Sequence, residues 1–219
     1  MSFKYSKIID ISQPLYNDCP GNPGFPTMEV MQDMHSDECG WNAERLCFHT
    51  HIGTHIDSPG HRSNNGTTID KMPFDVFIGP ATAVDLYDKK PDEPILASDL
   101  EPYAGVVKPI VLLCTGWGLK RAKTDAYYFH SPWLTVEGAQ WLIDHNVKGV
   151  GIDHFSVAGA NPNNVAPPHD ALLGAGVYIL EELLLPRELL SMRNLHVIAL
   201  PLLLKDGSGA PTRALALEC

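Results

Sequence analysis

His49-Thr-His-Ile-Gly-Thr-His-Ile-Asp-Ser-Pro-Gly-His61 is the stretch whose reading sets the rest. Read as a helix, it puts His51 and His55 on one face, four residues apart, the spacing that metalloprotease helices use for zinc. The residue types argue against that. Gly53 and Pro59 disfavour a helix, Ile52, Thr54 and Ile56 are β-branched, and no Glu follows His51. In a strand the period is two, so His49, His51, Gly53, His55 and Asp57 share one face. Thr50, Ile52, Thr54 and Ile56 take the other face, which can pack on a core. A fully extended strand rises about 3.3 Å per residue and would set His51 and His55 about 13 Å apart, too far for one ion. A bend or bulge is therefore expected at Gly53, whose missing side chain also leaves room for a metal. Pro59 stops the strand and leaves His61 on the following loop, free to face the same cavity.

A single His on a strand is ordinarily a hydrogen-bonded or surface residue. Three His and an Asp at alternating positions are a repulsive polar cluster unless something compensates them, and a cation does so. Neutral imidazole with carboxylate suits Zn²⁺ or Mn²⁺, and the absence of a Cys ligand removes the usual structural-zinc reading. His49 is assigned a supporting or structural role.

Outward from this stretch, strands are expected at Ile8–Ile11, Thr27–Met34, Phe77–Leu86 and Pro109–Cys114, and, with turns between them, over Glu44–Asp57. Tyr16 to Pro26 holds three prolines, two glycines and two asparagines and reads as an extended loop. Ser98 with Glu101 resembles a capping box. Thr135 can cap a helix over Val136–His145, with Val136, Ala139, Trp141, Leu142 and Ile143 as its apolar stripe. Lys148–Asp153 then reads as a buried strand after a helix, a parallel connection. Further strands are expected at Gly176–Leu180, His196–Leu204 and Ala214–Glu218, with Asp206-Gly-Ser-Gly-Ala-Pro211 as a turn. The pattern is continuous from residue 1 to 219, which favours a single α/β domain with a mixed sheet.

Composition narrows the function classes. The 219 residues carry 16 Lys and Arg against 26 Asp and Glu, a formal charge of −10, and no basic cluster, which argues against nucleic acid as a partner. Apolar residues make up 44%, enough for one sizeable core. No long apolar run suggests a membrane span or a secretory signal. The five cysteines form no CxxC pair, and Cys114 sits in an apolar run, so a reducing, cytoplasmic setting is expected.

His51-Ile-Gly-Thr-His-Ile-Asp-Ser-Pro-Gly-His61 resembles the H-x-G-T-H-x-D-x-P-x-H signature of the metal-dependent cyclase family, which includes bacterial kynurenine formamidases and isatin hydrolases. The resemblance continues through Ile9-Asp-Ile-Ser-Gln-Pro-Leu15, Val111-Leu-Leu-Cys-Thr-Gly-Trp117, Gly149-Val-Gly-Ile-Asp-His-Phe-Ser156, and Leu200-Pro-Leu with Gly207 to Arg213. It implies one metal-dependent hydrolase domain with a barrel-like or swivelling β/β/α architecture. It also implies that His51, His55 and Asp57 hold one ion and that Asp57, His169 and Glu181 hold a second, with one or two ions of Zn²⁺ or Mn²⁺ per subunit. His61 matches the family's acid/base. Asp153 and Ser156 match a G-I-D-x-x-S element with a structural or supporting role. Read from the residues alone, His169 lies in a Pro-rich loop, and Glu181 is an awkward carboxylate at the end of an apolar run; the alternative for Glu181 is a solvent-facing helix start beside Glu182. The formamidases stack an early-loop aromatic residue on the substrate ring. Asn22 takes that place here, and Trp41, shortly before the histidine stretch, is the candidate to line the pocket instead. Relatives are commonly homo-oligomers, which implies a homodimer or homotetramer.

The implied reaction is hydrolysis of an amide C–N bond, in an N-formyl aryl amide or a cyclic amide, by hydroxide formed on the ion with His61 moving the proton. A non-catalytic metal- or small-ligand-binding protein on the same scaffold would keep His51, His55 and Asp57 but have no use for His61. A cupin-type barrel ranks low because no Glu follows the His49-Thr-His51 pair at the usual distance, and no G-x-S-x-G marks a serine hydrolase.

Overall fold

Where the sequence runs apolar or alternates, the chain mostly extends. The computed structural model describes residues 4–160 and 166–219. Its strands are β1 (Lys7–Asp10), β2 (Glu29–Met34), β3 (Ala43–Cys47), β4 (His55–Asp57), β5 (Ile78–Asp85), β6 (Pro94–Ile95), β7 (Ile110–Cys114), β8 (Trp133–Leu134), β9 (Gly149–Ile152), β10 (Tyr178–Glu181), β11 (Leu195–Pro201) and β12 (Gly209–Glu218). The main sheet runs β1-β12-β11-β5-β7-β9-β10-β4, and β4 pairs back onto β12. That last pairing closes a seven-strand barrel in which β1 is an outer addition. The neighbours β5, β7, β9 and β10 are parallel, and the remaining pairs are antiparallel, so the sheet is mixed as expected.

Alternation along the strands divides the core in two. Ile110, Leu112 and Cys114 of β7 join Ile56, Leu180, Val197, Ala199, Ala210 and Ala214 in one buried cluster, the barrel interior. Val111 and Leu113 face the other way and join Val150, Ile152 and Ile179 under the helix Val136–Asp144 and the helix Ala166–Gly174. The inward positions of β9 are Gly149 and Gly151, which make way for the large side chains Tyr178 and Leu112. The predicted cap holds: the Thr135 side chain accepts the Gly138 N–H at 3.1 Å.

Several expectations change. The helix near Ser98 spans Ala97–Leu100, and its cap comes from Asp99, which accepts the Leu96 N–H at 2.7 Å, so Ser98 is inside the helix. The segment expected to be one long strand-rich stretch from Glu44 to Asp57 is β3 and a three-residue β4, with irregular backbone between. The turn at 206–211 is shorter than predicted, because Gly209 to Pro211 extend β12 and pair with β4. The bend at Gly53 is present, with φ +58°, a left-handed conformation that favours glycine. The room at Gly53 does not serve a metal. A Cβ there would stand 2.4 Å from Leu15 Cδ2, so the space belongs to Leu15.

Candidate metal centre

β4 is the shortest strand of the barrel wall and carries most of the site. Ile56 points into the barrel interior and is fully buried. His55 and Asp57 must then point outward, on the outer face of the wall. β10 lies beside β4 with Glu181 paired to His55, and Glu181 has the parity opposite to the inward Leu180. The helix Ala166–Gly174 brings His169, and the single turn Pro59–His61 brings His61. His169 is thus helical, not in a loop as its Pro-rich surroundings suggested. Pro167 and Pro168 stand in the first helical turn, where their missing N–H groups break no intrahelical bond.

The hydrogen bonds fix which atoms face one another. His55 Nδ1–H donates to the Gly53 carbonyl at 2.8 Å. In the neutral ring its Nε2 is then a lone pair. That atom is buried, has no hydrogen bond among the described residues, and lies 3.3 Å from Asp57 Oδ1 and 3.6 Å from Glu181 Oε2. With that ring neutral, three acceptors face one another in a dry site and repel, a conflict that either a proton or a metal ion resolves. Asp57 is the hub. His51 Nδ1–H donates to its Oδ1 at 2.6 Å, and His61 Nε2 and His169 Nε2 each stand 3.9 Å from its Oδ2. His51 Nε2 accepts from Ser208 Oγ at 3.0 Å. Glu181 Oε1 accepts the Val157 N–H at 2.7 Å and lies 3.2 Å from His169 Nε2.

Electrostatics show the same demand for positive charge. Burial alone would lower the pKa of His55, but the Asp57 and Glu181 carboxylates outweigh it and raise it to about 9. Burial would raise Asp57, yet His51 and His55 hold it well below the ordinary carboxylate value. Without an ion, the pocket between these carboxylates retains a proton. Burial, the largest cause, keeps His61 below 6.5. Among the described residues, donor atoms close enough to share an ion form two groups, His55–Asp57–Glu181 and His51–Asp57–His61. Both share Asp57, and the second draws in His61, whose ring centroid is 4.0 Å from that of His51. This differs from the division implied by the resemblance. The N/O donor set fits Zn²⁺ or Mn²⁺.

A cleft of about 220 Å³ opens over these groups, lined by His51, His55, Asp57, His61, His169 and Glu181 together with Asn22. Trp41 does not reach it. That residue follows the short helix Ser36–Cys39, between β2 and β3, and is 72% exposed. The aromatic rings of the cleft are Phe25 and Phe155, which the sequence reading passed over. Phe25 shares the early loop with Asn22 and stacks on His49, with 4.8 Å between ring centroids, giving that histidine its packing role. Phe155 lies inside the G-I-D-x-x-S element. Asp153 of that element is fully buried and accepts both the backbone N–H and the hydroxyl of Thr115, and burial raises its pKa to about 6. Ser156 lines the cleft, and its Oγ is buried without a hydrogen bond among the described residues.

Barrel closure presses directly on the site. A Cβ at Gly209 would stand 2.5 Å from the Ile56 carbonyl oxygen and 2.7 Å from His51 Cε1. Backbone cannot give way cheaply, so Gly209→Ala is expected to cost about 1–3 kcal/mol in urea unfolding. Titration of Zn²⁺ or Mn²⁺ into the variant should show weaker binding, because the same Cβ displaces His51. Unchanged stability and affinity would contradict the packing described.

Comparison with known proteins follows the same lines. The family model described as "Putative cyclase" matches residues 9–158. A kynurenine formamidase from Bacillus thuringiensis subsp. konkukian (strain 97-27) is 32% identical over 214 residues, covering 96% of this chain and 97% of its own. Isatin hydrolase A from Labrenzia aggregata, bound to benzyl benzoate, superposes with a TM-score of 0.82 at 28% identity, covering 96% of this chain and 93% of its own. A structure titled as a potential metal-dependent hydrolase with cyclase activity gives 0.79 at 25% identity, covering 97% of this chain and 98% of its own.

Proposed function

Because the chain belongs to the cyclase family, we propose that residues 1–219 act as one metal-dependent hydrolase domain that cleaves a non-peptide amide C–N bond in a small molecule. Its relatives are amide hydrolases, a kynurenine formamidase and an isatin hydrolase. The observation that carries the reading is the buried His55 Nε2, without a hydrogen-bond partner among the described residues, held between two buried carboxylates. His51, His55, Asp57, His169 and Glu181 are the residues to hold one or two divalent ions, Zn²⁺ or Mn²⁺. Such an ion supplies Lewis acidity for the amide carbonyl and brings the pKa of a water from about 15.7 towards 7.

The chain's own residues do the rest. The Gly53 carbonyl and the Asp57 carboxylate fix the ring orientations of His55 and His51. His61 is neutral at pH 7, since burial depresses its pKa. Its imidazole accepts the proton of the attacking water and delivers it to the leaving nitrogen. Ring opening of a cyclic amide and removal of an N-formyl group need the same transfers, so both bond types fall within reach. Soluble homo-oligomerisation in the cytoplasm, as a dimer or tetramer, completes the proposal. No helix among the described residues is long and apolar enough to cross a membrane.

The test is metal removal. Chelation of the purified protein should abolish hydrolysis of a panel of N-formyl anilines, isatin and cyclic imides, and Zn²⁺ or Mn²⁺ should restore it. Elemental analysis checks the metal content at each stage. Full activity in metal-free protein, or no turnover of any panel member by metal-loaded protein, would defeat the reading.

A further inference from the structure

The loop that brings Asn22 and Phe25 to the cleft has little packed beneath it. Residues 14–18 and 23–27 are exposed. A second cavity, of about 230 Å³, shares Asn22 and Phe25 with the cleft and also borders Cys19, Ile52 and Tyr128. The loop tip is a turn closed on itself. The Phe25 N–H donates to the Asn22 carbonyl at 3.1 Å, and the Gly24 N–H to Asn22 Oδ1 at 2.9 Å. Asn22 and Phe25 therefore move as one unit, and bonds at the base of the loop fix that unit over the site. Arg121 supplies three of them. Its Nη1 donates to the Pro14 carbonyl at 3.0 Å, its Nη2 to the Pro20 carbonyl at 2.6 Å, and its Nε to Glu182 Oε1 at 2.6 Å. A guanidinium presents its donors in a rigid planar fork, so these acceptors take their spacing from one side chain. That side chain is only 5% accessible, which keeps competing water away. The ion pair of Lys123 with Asp18 also reaches the loop, but both side chains are well exposed and the link is correspondingly weak.

Both ends of this clamp are anchored. Arg121 follows the turn Trp117–Lys120, whose Trp117 packs with Tyr127 and Phe155 in a small buried cluster of its own. Glu182 follows Glu181 directly. Its backbone is left-handed, with φ +55°, and is pinned from two sides. Its N–H donates to the His154 carbonyl at 2.6 Å, and its carbonyl accepts the Thr54 hydroxyl at 2.7 Å. Arg121 thus joins the loop to a point one residue from Glu181 and, through Thr54, one residue from His55. Resting on the hydrolase reading above, we infer that Arg121 is a positioning residue. It holds the wall formed by Asn22 and Phe25 at a set distance from the metal-binding residues, and so determines how tightly the substrate is held. Arg121 does not itself line the cleft, and it acts through the loop.

The experiment compares metal-loaded wild type with Arg121→Met, Arg121→Lys and the double variant Arg121→Met/Glu182→Gln. The double variant removes the carboxylate charge that Arg121→Met alone would strand in the interior. On a panel member that wild type hydrolyses, Arg121→Met should raise KM about 10- to 100-fold and leave kcat within about threefold. Metal content should stay at the wild-type level. Arg121→Lys keeps the charge but cannot bridge all three acceptors, and its KM should fall between the two. Hydrogen–deuterium exchange should quicken by at least about tenfold over residues 14–27 and stay unchanged over β7 and β9. An unchanged KM, a fall in kcat without a rise in KM, loss of metal, or faster exchange throughout the barrel would overturn the inference. If Arg121→Met does not fold, the double variant decides by the same criteria. If metal-loaded wild type turns over no panel member, the hydrolase reading is what fails. Exchange then decides Arg121: acceleration confined to residues 14–27 supports its hold on the loop, and its absence overturns it.

Discussion

Asp57→Ala is expected to empty the site of metal and to lower kcat/KM by at least about 10³-fold, some 4 kcal/mol of transition-state stabilisation. Asp57 is central among the described residues of the site. Asp57 accepts from His51, faces Nε2 of His55, and stands 3.9 Å from both His61 and His169. It belongs to both groups of donors that are close enough to share an ion. Its removal takes away the charged group proposed as a ligand and the acceptor that orients the His51 ring. It also leaves buried imidazoles without their counter-charge, and breaking a buried ion pair from one side costs about 3–5 kcal/mol. The variant can therefore lose stability as well. Asp57→Asn, which keeps the shape and one acceptor oxygen, separates the two effects. Its circular dichroism should match wild type while elemental analysis shows metal loss. An active, metal-replete Asp57→Ala or Asp57→Asn protein would sink the site.

His61→Ala should behave differently: metal content persists while kcat falls about 10²- to 10⁴-fold, the usual range for a positioned acid/base. The half-buried ring sits at the end of the turn Pro59–His61, beside His51 and facing Asp57. That placement also puts it within reach of an ion held by His51 and Asp57. Metal analysis distinguishes the roles. Retained metal with lost turnover marks a proton carrier, whereas lost metal marks a ligand. The pH profile gives an independent reading. Burial depresses the His61 pKa below 6.5, so its neutral, proton-accepting form persists below that pH. The acid limb of kcat/KM in wild type should therefore fall below pH 6.5. A bound divalent ion would oppose protonation and shift the limb in the same direction. In His61→Ala this limb should vanish. A limb centred above pH 6.5, or one that survives the substitution, would remove His61 from the proton transfers.

Most strands were legible because they depend on local periodicity, whereas the division of the one expected core into two emerges only once the barrel closes. Ile110-Val-Leu-Leu-Cys114 can be little else than a strand covered on both faces, and Thr135 announces its helix. Legibility failed where long-range contacts set the outcome. Gly209 to Pro211 look like a turn until β4 is there to pair with them. Gly53 was read correctly as a bend, but its space is filled by Leu15, a residue of the first loop that local pattern cannot bring close. The site showed the same division. His55 and Asp57 stand out by alternation, and Glu181 by its place at the end of an apolar strand. The helical setting of His169 was hidden behind two prolines that mimic a loop. Phe25 and Phe155 have no periodic mark, since side chains that line a cleft from loops need only proximity in space. Trp41 is near the histidine stretch in sequence, but the fold leaves it exposed and off the cleft.

β4 has only three residues, and both of its neighbours come from far downstream: β10 at Tyr178–Glu181 and β12 at Gly209–Glu218. During synthesis, the segment that bears His55 and Asp57 therefore leaves the ribosome long before any strand exists to hold it. Its first neighbour arrives more than a hundred residues later, and the ring closes only once Gly209 to Pro211 have emerged. Until then His55 and Asp57 hang on an unpaired stretch of chain with no fixed geometry. Ion binding with the geometry of the folded site is thus expected only once Gly209 to Pro211 are in place, and a nascent chain stalled before Gly209 would carry a loose His-rich segment instead.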